Sequence, residues 1–176
     1  MLFNQQQPTE DRSGITYHFA NLASACATDS EVIVTLGVAP APGDDPDQQL
    51  AACRVYMNWF TGKRFSLAMQ MAIERHTKAF GPIAAAASSS RPPAFAIRAV
   101  YANFVRLSGN PEELVIDFGM NPEAAAPGKG PPPALHSQVA MQYSTAKQLA
   151  EDVARLIADY ERSRGNIELS IPQRRV

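Results

Sequence analysis

Three histidines (His18, His76, His136) and two cysteines (Cys26, Cys53) are the side chains of this 176-residue chain best suited to metal or nucleophilic chemistry. Their spacing supports neither. No histidine pair stands at a ligand spacing such as H-x3-H, so each is read as structural or exposed: His18 in a first strand, His76 in a helix, His136 at a loop edge. The absence of G-x-S-x-G, G-x-x-x-x-G-K-[ST] and C-x-x-C removes the commonest hydrolase, nucleotide and redox signatures. Asp44, Asp45 and Asp47 in GDDPD crowd three carboxylates together. A calcium loop needs spaced oxygens and a distal bidentate acid, and Pro46 followed by QQL breaks that pattern, so a solvated acidic loop is expected. GKG at Gly128 to Gly130 sits in a Pro-rich stretch with no helix after it and reads as a flexible tip. No catalytic residue, cofactor-binding residue or metal ligand is therefore expected, and no cofactor. The chain is read as a non-enzyme.

Asn21 and Asn103 are more informative, because an amide is unfavourable in a strand. Each is expected to bond the backbone at a bulge or sheet edge, the other reading being a ligand or interface contact. Trp59 and Tyr143, with Phe104 and Phe118, are expected core or interface anchors.

The elements that must position these residues follow from periodicity. Val55, Met57 and Trp59 alternate, as do Val139, Met141 and Tyr143, so each set lines one face of a strand. EVIVTLG and ELVIDFG are β-branched, apolar strands, each preceded by a turn, ATDS or SGNPE. First strands are expected over Ile15 to Ala23 and Ala99 to Leu107. Helical spacing joins Phe65, Met69, Ala72, Ile73 and Phe80, then Gly81 and Pro82 stop the helix. A second stripe joins Leu149, Val153, Leu156, Ile157 and Tyr160, with Ser144 as expected N-cap, Gly165 as stop and Glu151 pairing with Arg155 on the outer surface.

These elements occur twice. An offset of 82 (101 minus 19) aligns Phe19 to Pro40 with Tyr101 to Pro122, with identities at Ala20/Ala102, Asn21/Asn103, Glu31/Glu113, Gly37/Gly119 and Pro40/Pro122. Further on, an offset of 84 (143 minus 59) pairs Trp59, Thr61 and Lys63 with Tyr143, Thr145 and Lys147, and Gly81 with Gly165. The expected fold is α+β: two β-β-β-α repeats forming a pseudo-twofold antiparallel sheet domain with two helices packed on it. The expected boundaries are a disordered N-terminus over 1–14, repeats over 15–83 and 95–169, a linker over 84–94 and a tail over 170–176. One three-stranded layer and one helix make a marginal domain, so each copy supplies the surface that the other would leave wet.

The second copy resembles the short bacterial proteins of domain-of-unknown-function family 3467. The resemblance rests on Tyr101, Ala102 and Asn103, on Asp117, Phe118 and Gly119 closing the hairpin, and on Ala146, Lys147, Tyr160, Glu161, Gly165 and Ile167 in and after the helix. The first copy departs from the pattern, with Phe19 for the tyrosine, Thr35 and Leu36 for Asp-Phe, and His76 and Thr77 for Tyr-Glu. The resemblance implies fold and duplication and no activity.

Charge narrows the partners. With 16 Lys+Arg against 17 Asp+Glu the chain has no overall pull towards nucleic acid or anionic lipid, and neither is an expected partner. No apolar run reaches the roughly 18 residues of a membrane span and no secretory start is evident, so a cytoplasmic protein with free thiols is expected. The leading expectation is a bacterial interaction or scaffold protein that binds a protein partner or itself through sheet edges or its helix layer. The alternatives are a holdase using Met57, Met69 and Met71, and a small-ligand binder using Asn103.

Overall fold

Each repeat breaks its first strand at an asparagine, and the break interlocks the two halves. The computed structural model describes residues 14–39, 50–85, 98–121 and 132–169. The first repeat runs β1 (Thr16–Ala20), β2 (Leu22–Ala27), β3 (Glu31–Val38), β4 (Leu50–Asn58) and α1 (Trp59–Phe80). The second runs β5 (Arg98–Tyr101), β6 (Phe104–Gly109), β7 (Glu113–Met120), β8 (Ala134–Gln142) and α2 (Tyr143–Arg164). As expected, the fold is α+β, with each set of strands followed by a helix. Its strands form two four-stranded sheets, ordered β1-β8-β7-β6 and β2-β3-β4-β5.

The first strands do not stay whole. β1 leaves its own repeat to pair in parallel with β8, Thr16 opposite Ser137 through Ala20 opposite Met141, and β5 pairs in parallel with β4. Pairs within a repeat remain antiparallel. Each sheet therefore carries one parallel pair that stitches the repeats together, which an all-antiparallel expectation omits. The asparagines supply the physical reason. Asn103 N–H donates to Gly119 O at 3.2 Å, its Oδ1 accepts from Asn121 N at 2.6 Å and its Nδ2 donates to Asn121 O at 3.0 Å. Asn21 N–H donates to Gly37 O at 3.1 Å, and its Oδ1 accepts from Ala39 N at 2.7 Å. In both cases the amide side chain prolongs the ladder while the main chain departs towards the other sheet.

One apolar cluster spans both repeats. Val32, Val34 and Leu36 of β3, Leu114, Ile116 and Phe118 of β7, and Phe65, Met69, Leu149 and Val153 of the helices are all buried in it. The helices pack on each other, and each also crosses to the other repeat's end strand, α1 to β6 and α2 to β2. Neither half encloses a core by itself.

Strand β4 passes into α1 without a loop, as β8 passes into α2, and this fixes the caps. Asn58 Oδ1 accepts from Thr61 N at 2.8 Å, whereas Gln142 stands at the N-cap of α2 with no side-chain cap bond. Ser144 is thus inside the first turn and not the cap, because the strand delivers the chain to the helix two residues earlier. Gly81 and Gly165 adopt φ 94 and 97, where an L side chain is strained, and donate to Thr77 O and Glu161 O. Three local expectations change. Phe80, placed on the apolar stripe of α1, is 60% exposed because α1 outruns the core at its end. Arg155 pairs with Asp152 at 3.4 Å, three residues back, and not with Glu151. His136 lies inside β8, not at a loop edge, because β8 begins at Ala134.

The expected N-terminal segment through residue 13, the GDDPD run, Gly128 to Gly130, residues 86–94 of the linker and the tail over 170–176 lie outside the described residues. Among the described residues no helix is long and apolar enough to cross a membrane.

Candidate functional site

Two aromatic stacks mark the ends of the helix pair. Trp59 and Tyr143 occupy equivalent positions at the helix starts, and His76 and Tyr160 are equivalent near the ends. Trp59 stacks on Tyr160 with centroids 3.9 Å apart, and Tyr143 stacks on His76 at 3.7 Å. Each stack also holds a hairpin tip, through opposite members. Trp59 Nε1 donates to Asp29 O at 3.1 Å, whereas at the other end His76 Nε2 lies 2.9 Å from Pro111 O. A proton on Nε2 satisfies that contact and leaves Nδ1 buried without a hydrogen bond.

Beyond the stacks the symmetry fails. Ionic and polar contacts join the end of α2 to α1 and to the β2–β3 hairpin. Lys63 Nζ donates to Glu161 Oε1 at 2.6 Å, Asn166 Oδ1 at 3.0 Å and Ile167 O at 2.7 Å, tying α1 to the end of α2. The Glu161 carboxyl is held below the usual range by the Lys63 hydrogen bond and then by the Ile167 N–H. Arg164 reaches Asp29 at 3.3 Å on the β2–β3 tip, and Thr145 Oγ1 donates to Asn21 O at 3.4 Å. The aligned residues are Thr77 for Glu161, at the helix–helix position, and Phe80 for Arg164 and Pro111 for Asp29, at the end of α1 and the β6–β7 tip. None of these three can form an ion pair.

The α1–β6 seam is correspondingly open. A cleft of about 180 Å³ lies beside Thr61, Arg64, Phe65, Ala68, Asn103 and Phe104. A wider one of about 400 Å³ follows between the end of α1 and the β6–β7 hairpin, bounded by Arg75, His76, Phe80, Leu107, Asn110 and Tyr143. Helix bulk contributes to the difference, since Ala68 and Ala72 face this seam where α2 carries Asp152 and Leu156. The hairpin tip is rigid: Asn110 Oδ1 accepts from Glu112 N and Glu113 N, both at 2.8 Å. Burial raises the Tyr143 phenol above its ordinary value, so the ring wall of the cleft stays uncharged.

Of the four residues singled out from sequence, the open seam brings two together on one line: Asn103 beside the narrow cleft and Tyr143 beside the wide one. Asn21 and Trp59 fall in the closed seam. From the sequence alone Phe80 belongs to the apolar stripe of the first helix and His76 is structural or exposed, while Arg64 and Arg75 carry no expectation. Their signal was present as mismatches in the repeat alignment, Arg64 against Gln148, Arg75 against Asp159 and Phe80 against Arg164.

The remaining reactive groups are committed elsewhere. Asp117 is buried and accepts from Arg106 Nε at 2.8 Å and Gln138 Nε2 at 2.5 Å, a cross-strand row. Cys53 is buried, and that burial raises its thiol pKa against the opposing effects of Ser137 and Arg98; Cys26 is exposed, and both are free. Among the described residues no cluster of His, Cys, Asp or Glu could hold a metal ion.

Two stretches, residues 4–85 and 89–169, each match the model of one family, described as Protein of unknown function (DUF3467). The chain belongs to the DUF3467 family, as a tandem duplicate. No curated protein matches it. The duplication gives each family position two addresses. Tyr160 and Glu161, which keep the DUF3467 pattern read from the sequence, stack on Trp59 and pair with Lys63; of His76 and Thr77, which depart from it, His76 lines the wide cleft.

Proposed function

We propose that this DUF3467 duplicate is a non-enzymatic interaction protein that receives a segment of another protein in the α1–β6 seam. One observation carries the reading. Of two seams built from aligned residues, one carries the Arg164–Asp29 pair from helix end to hairpin tip, beside the Lys63–Glu161 pair between the helices, and the other has Phe80 and Pro111 at the tip and Thr77 in place of Glu161. The groove on that side has a wide cleft that is apolar and aromatic-walled and a narrow cleft that is more polar, the composition of a recognition site. Two of the four sheet edges, β2 and β6, already carry α2 and α1, so at those edges any binding surface is shared with the helix layer. A holdase surface has less support: Met57 and Met69 are fully buried, leaving Met71 exposed at 52%.

The test is a random peptide-display selection on the whole protein, repeated on Ala72→Trp, which fills the wide cleft. Peptides selected on the parent should lose binding to the variant while its thermal unfolding stays cooperative. Selected peptides that bind both proteins equally, or a selection that yields none, would remove the seam as the site.

A further inference from the structure

Resting on that seam as the binding site, we infer that its occupant is an extended, acidic peptide segment carrying an apolar anchor. Shape, anchor chemistry and charge each contribute. The two clefts succeed one another along α1 and β6, in the order Thr61 to Ala68 with Asn103 to Val105, then Ala72 to Phe80 with Leu107 to Pro111. Strand β6, Phe104–Gly109, runs beside both clefts for about 20 Å at roughly 3.3 Å per residue, the length of about six residues of extended chain. A compact ligand would use one cleft; a strand-like segment uses both.

The wide cleft sets the anchor. Phe80, Leu107 and Leu114 offer apolar walls and the Tyr143 and His76 rings an aromatic one, so a leucine or phenylalanine side chain loses water there.

Charge sets the flanks. Arg64 rims the narrow cleft and Arg75 the wide one, both side chains are exposed, and among the described residues no carboxylate lines either cleft. Of the carboxylates close by, Glu74 is matched by Lys78 at 2.8 Å, and Glu112 and Glu113 follow Pro111 on the hairpin tip without lining the cleft. At the aligned positions the closed seam has Gln148 for Arg64 and Asp159 for Arg75, with Asp159 matched by Arg162 at 2.9 Å and the neighbouring Asp152 by Arg155 at 3.4 Å. An acidic segment therefore finds two cations along the open seam that the aligned positions of its twin do not offer, which is selectivity by attraction.

Fluorescence anisotropy with three fluorescein-labelled peptides of ten residues decides the matter: a Leu/Phe peptide with flanking Glu, the same with Gln, and the same with Lys. The Glu peptide should bind at least tenfold more tightly than the Gln peptide, lose that margin in high salt, and bind the doubly substituted Arg64→Gln, Arg75→Gln protein no better than the Gln peptide does. Phe80→Ser should weaken all three alike. Equal binding of the Glu and Gln peptides to the parent, with Phe80→Ser weakening both, overturns the acidic preference and leaves the seam reading intact. Binding that ignores Phe80→Ser, or none at all, overturns both. Loss of the Glu preference on Arg162→Gln, Arg164→Gln, with the Arg64 and Arg75 substitutions silent, places acid recognition elsewhere and likewise refutes the inference.

Discussion

His76 lies face to face with Tyr143, 3.7 Å between ring centroids, and the same imidazole holds the β6–β7 tip through Pro111 O. Packing and polar contact thus converge on one side chain in the wall of the open seam. His76→Ala forfeits a stacked pair worth about 0.5–1.5 kcal/mol and a hydrogen bond worth about 0.5–1.5 kcal/mol. Urea unfolding should show a loss of about 1–3 kcal/mol, the sum of the two. A loss below about 0.5 kcal/mol, the level of an ordinary surface substitution, would mean that the imidazole does not bear on the hairpin.

Gly109 faces the other edge of the same ring. A Cβ built there collides with the Tyr143 hydroxyl and comes within 3.2 Å of Glu113 O, so Gly109→Ala should cost about 1–3 kcal/mol. The aligned position in the first repeat is Ala27, which carries the methyl that Gly109 lacks. Adding Tyr143→Phe should return part of the loss, because it removes the atom struck first. The coupling in the double-mutant cycle is the measurement; strictly additive effects would show that the clash lies with the backbone carbonyl.

The missing latch can be transplanted. Phe80→Arg with Pro111→Asp copies the Arg164–Asp29 pair into the open seam. An exposed pair adds at most about 1 kcal/mol, so stability should stay nearly constant. Peptide binding should nevertheless disappear, because the new side chains bridge the mouth of the wide cleft and Phe80 is gone. Retained binding with unchanged affinity would place the binding site away from that mouth.

Much of this fold was legible because duplication leaves the same apolar pattern twice. Val32, Val34 and Leu36 repeat as Leu114, Ile116 and Phe118, and both triplets are fully or almost fully buried. Strand exchange was not legible. Ile15 to Ala23 has the periodicity of one strand, and nothing in a period of two says that its halves serve different sheets. Only Asn21 and Asn103 mark the break, and their role depends on Ala39 and Asn121, which are distant in sequence. The site was half legible for a related reason. Likeness between the copies directs attention to the symmetric positions Asn21, Asn103, Trp59 and Tyr143, whereas the groove arises from differences such as Phe80 against Arg164. A residue's exposure at the end of a helix depends on where the core stops, which helical periodicity does not encode.

His18 tests the strand exchange. It stands in β1 at the position aligned with Val100, and its Nε2 is buried without a hydrogen bond. Burial first, and then the Arg98 charge, lower its pKa below the ordinary value. A depressed histidine is neutral in the fold and gains a proton more readily when unfolded. Its contribution is therefore complete above the unfolded pKa near 6.5 and lost as pH falls towards the lower folded pKa. His18→Val should raise stability by about 1 kcal/mol at neutral pH by removing an unsatisfied polar atom, and should flatten the slope below pH 6.5. A variant less stable than its parent at both pH 8 and pH 5 would mean that β1 does not sit against the other repeat in this way.

The closed seam has its own pH signature, of the carboxylate kind. Lys63 and the Ile167 N–H both favour ionised Glu161, so its folded pKa lies below the ordinary 4.5. The unfolded chain accordingly takes up the proton first as pH falls. The stabilisation is present above about pH 4.5 and is lost as pH drops through the depressed folded pKa. Glu161→Gln removes that titration, so the stability difference between parent and variant should shrink steadily below pH 4.5, measured by urea midpoints at matched ionic strength. The companion comparison is Thr77→Glu, which offers Lys147 the carboxylate that Lys63 already has. If the latch explains the asymmetry, this variant should acquire a new acid-sensitive increment and tighten the end of α1 against α2. A Thr77→Glu protein with the parent's acid profile would instead attribute the open seam to helix bulk at Ala68 and Ala72.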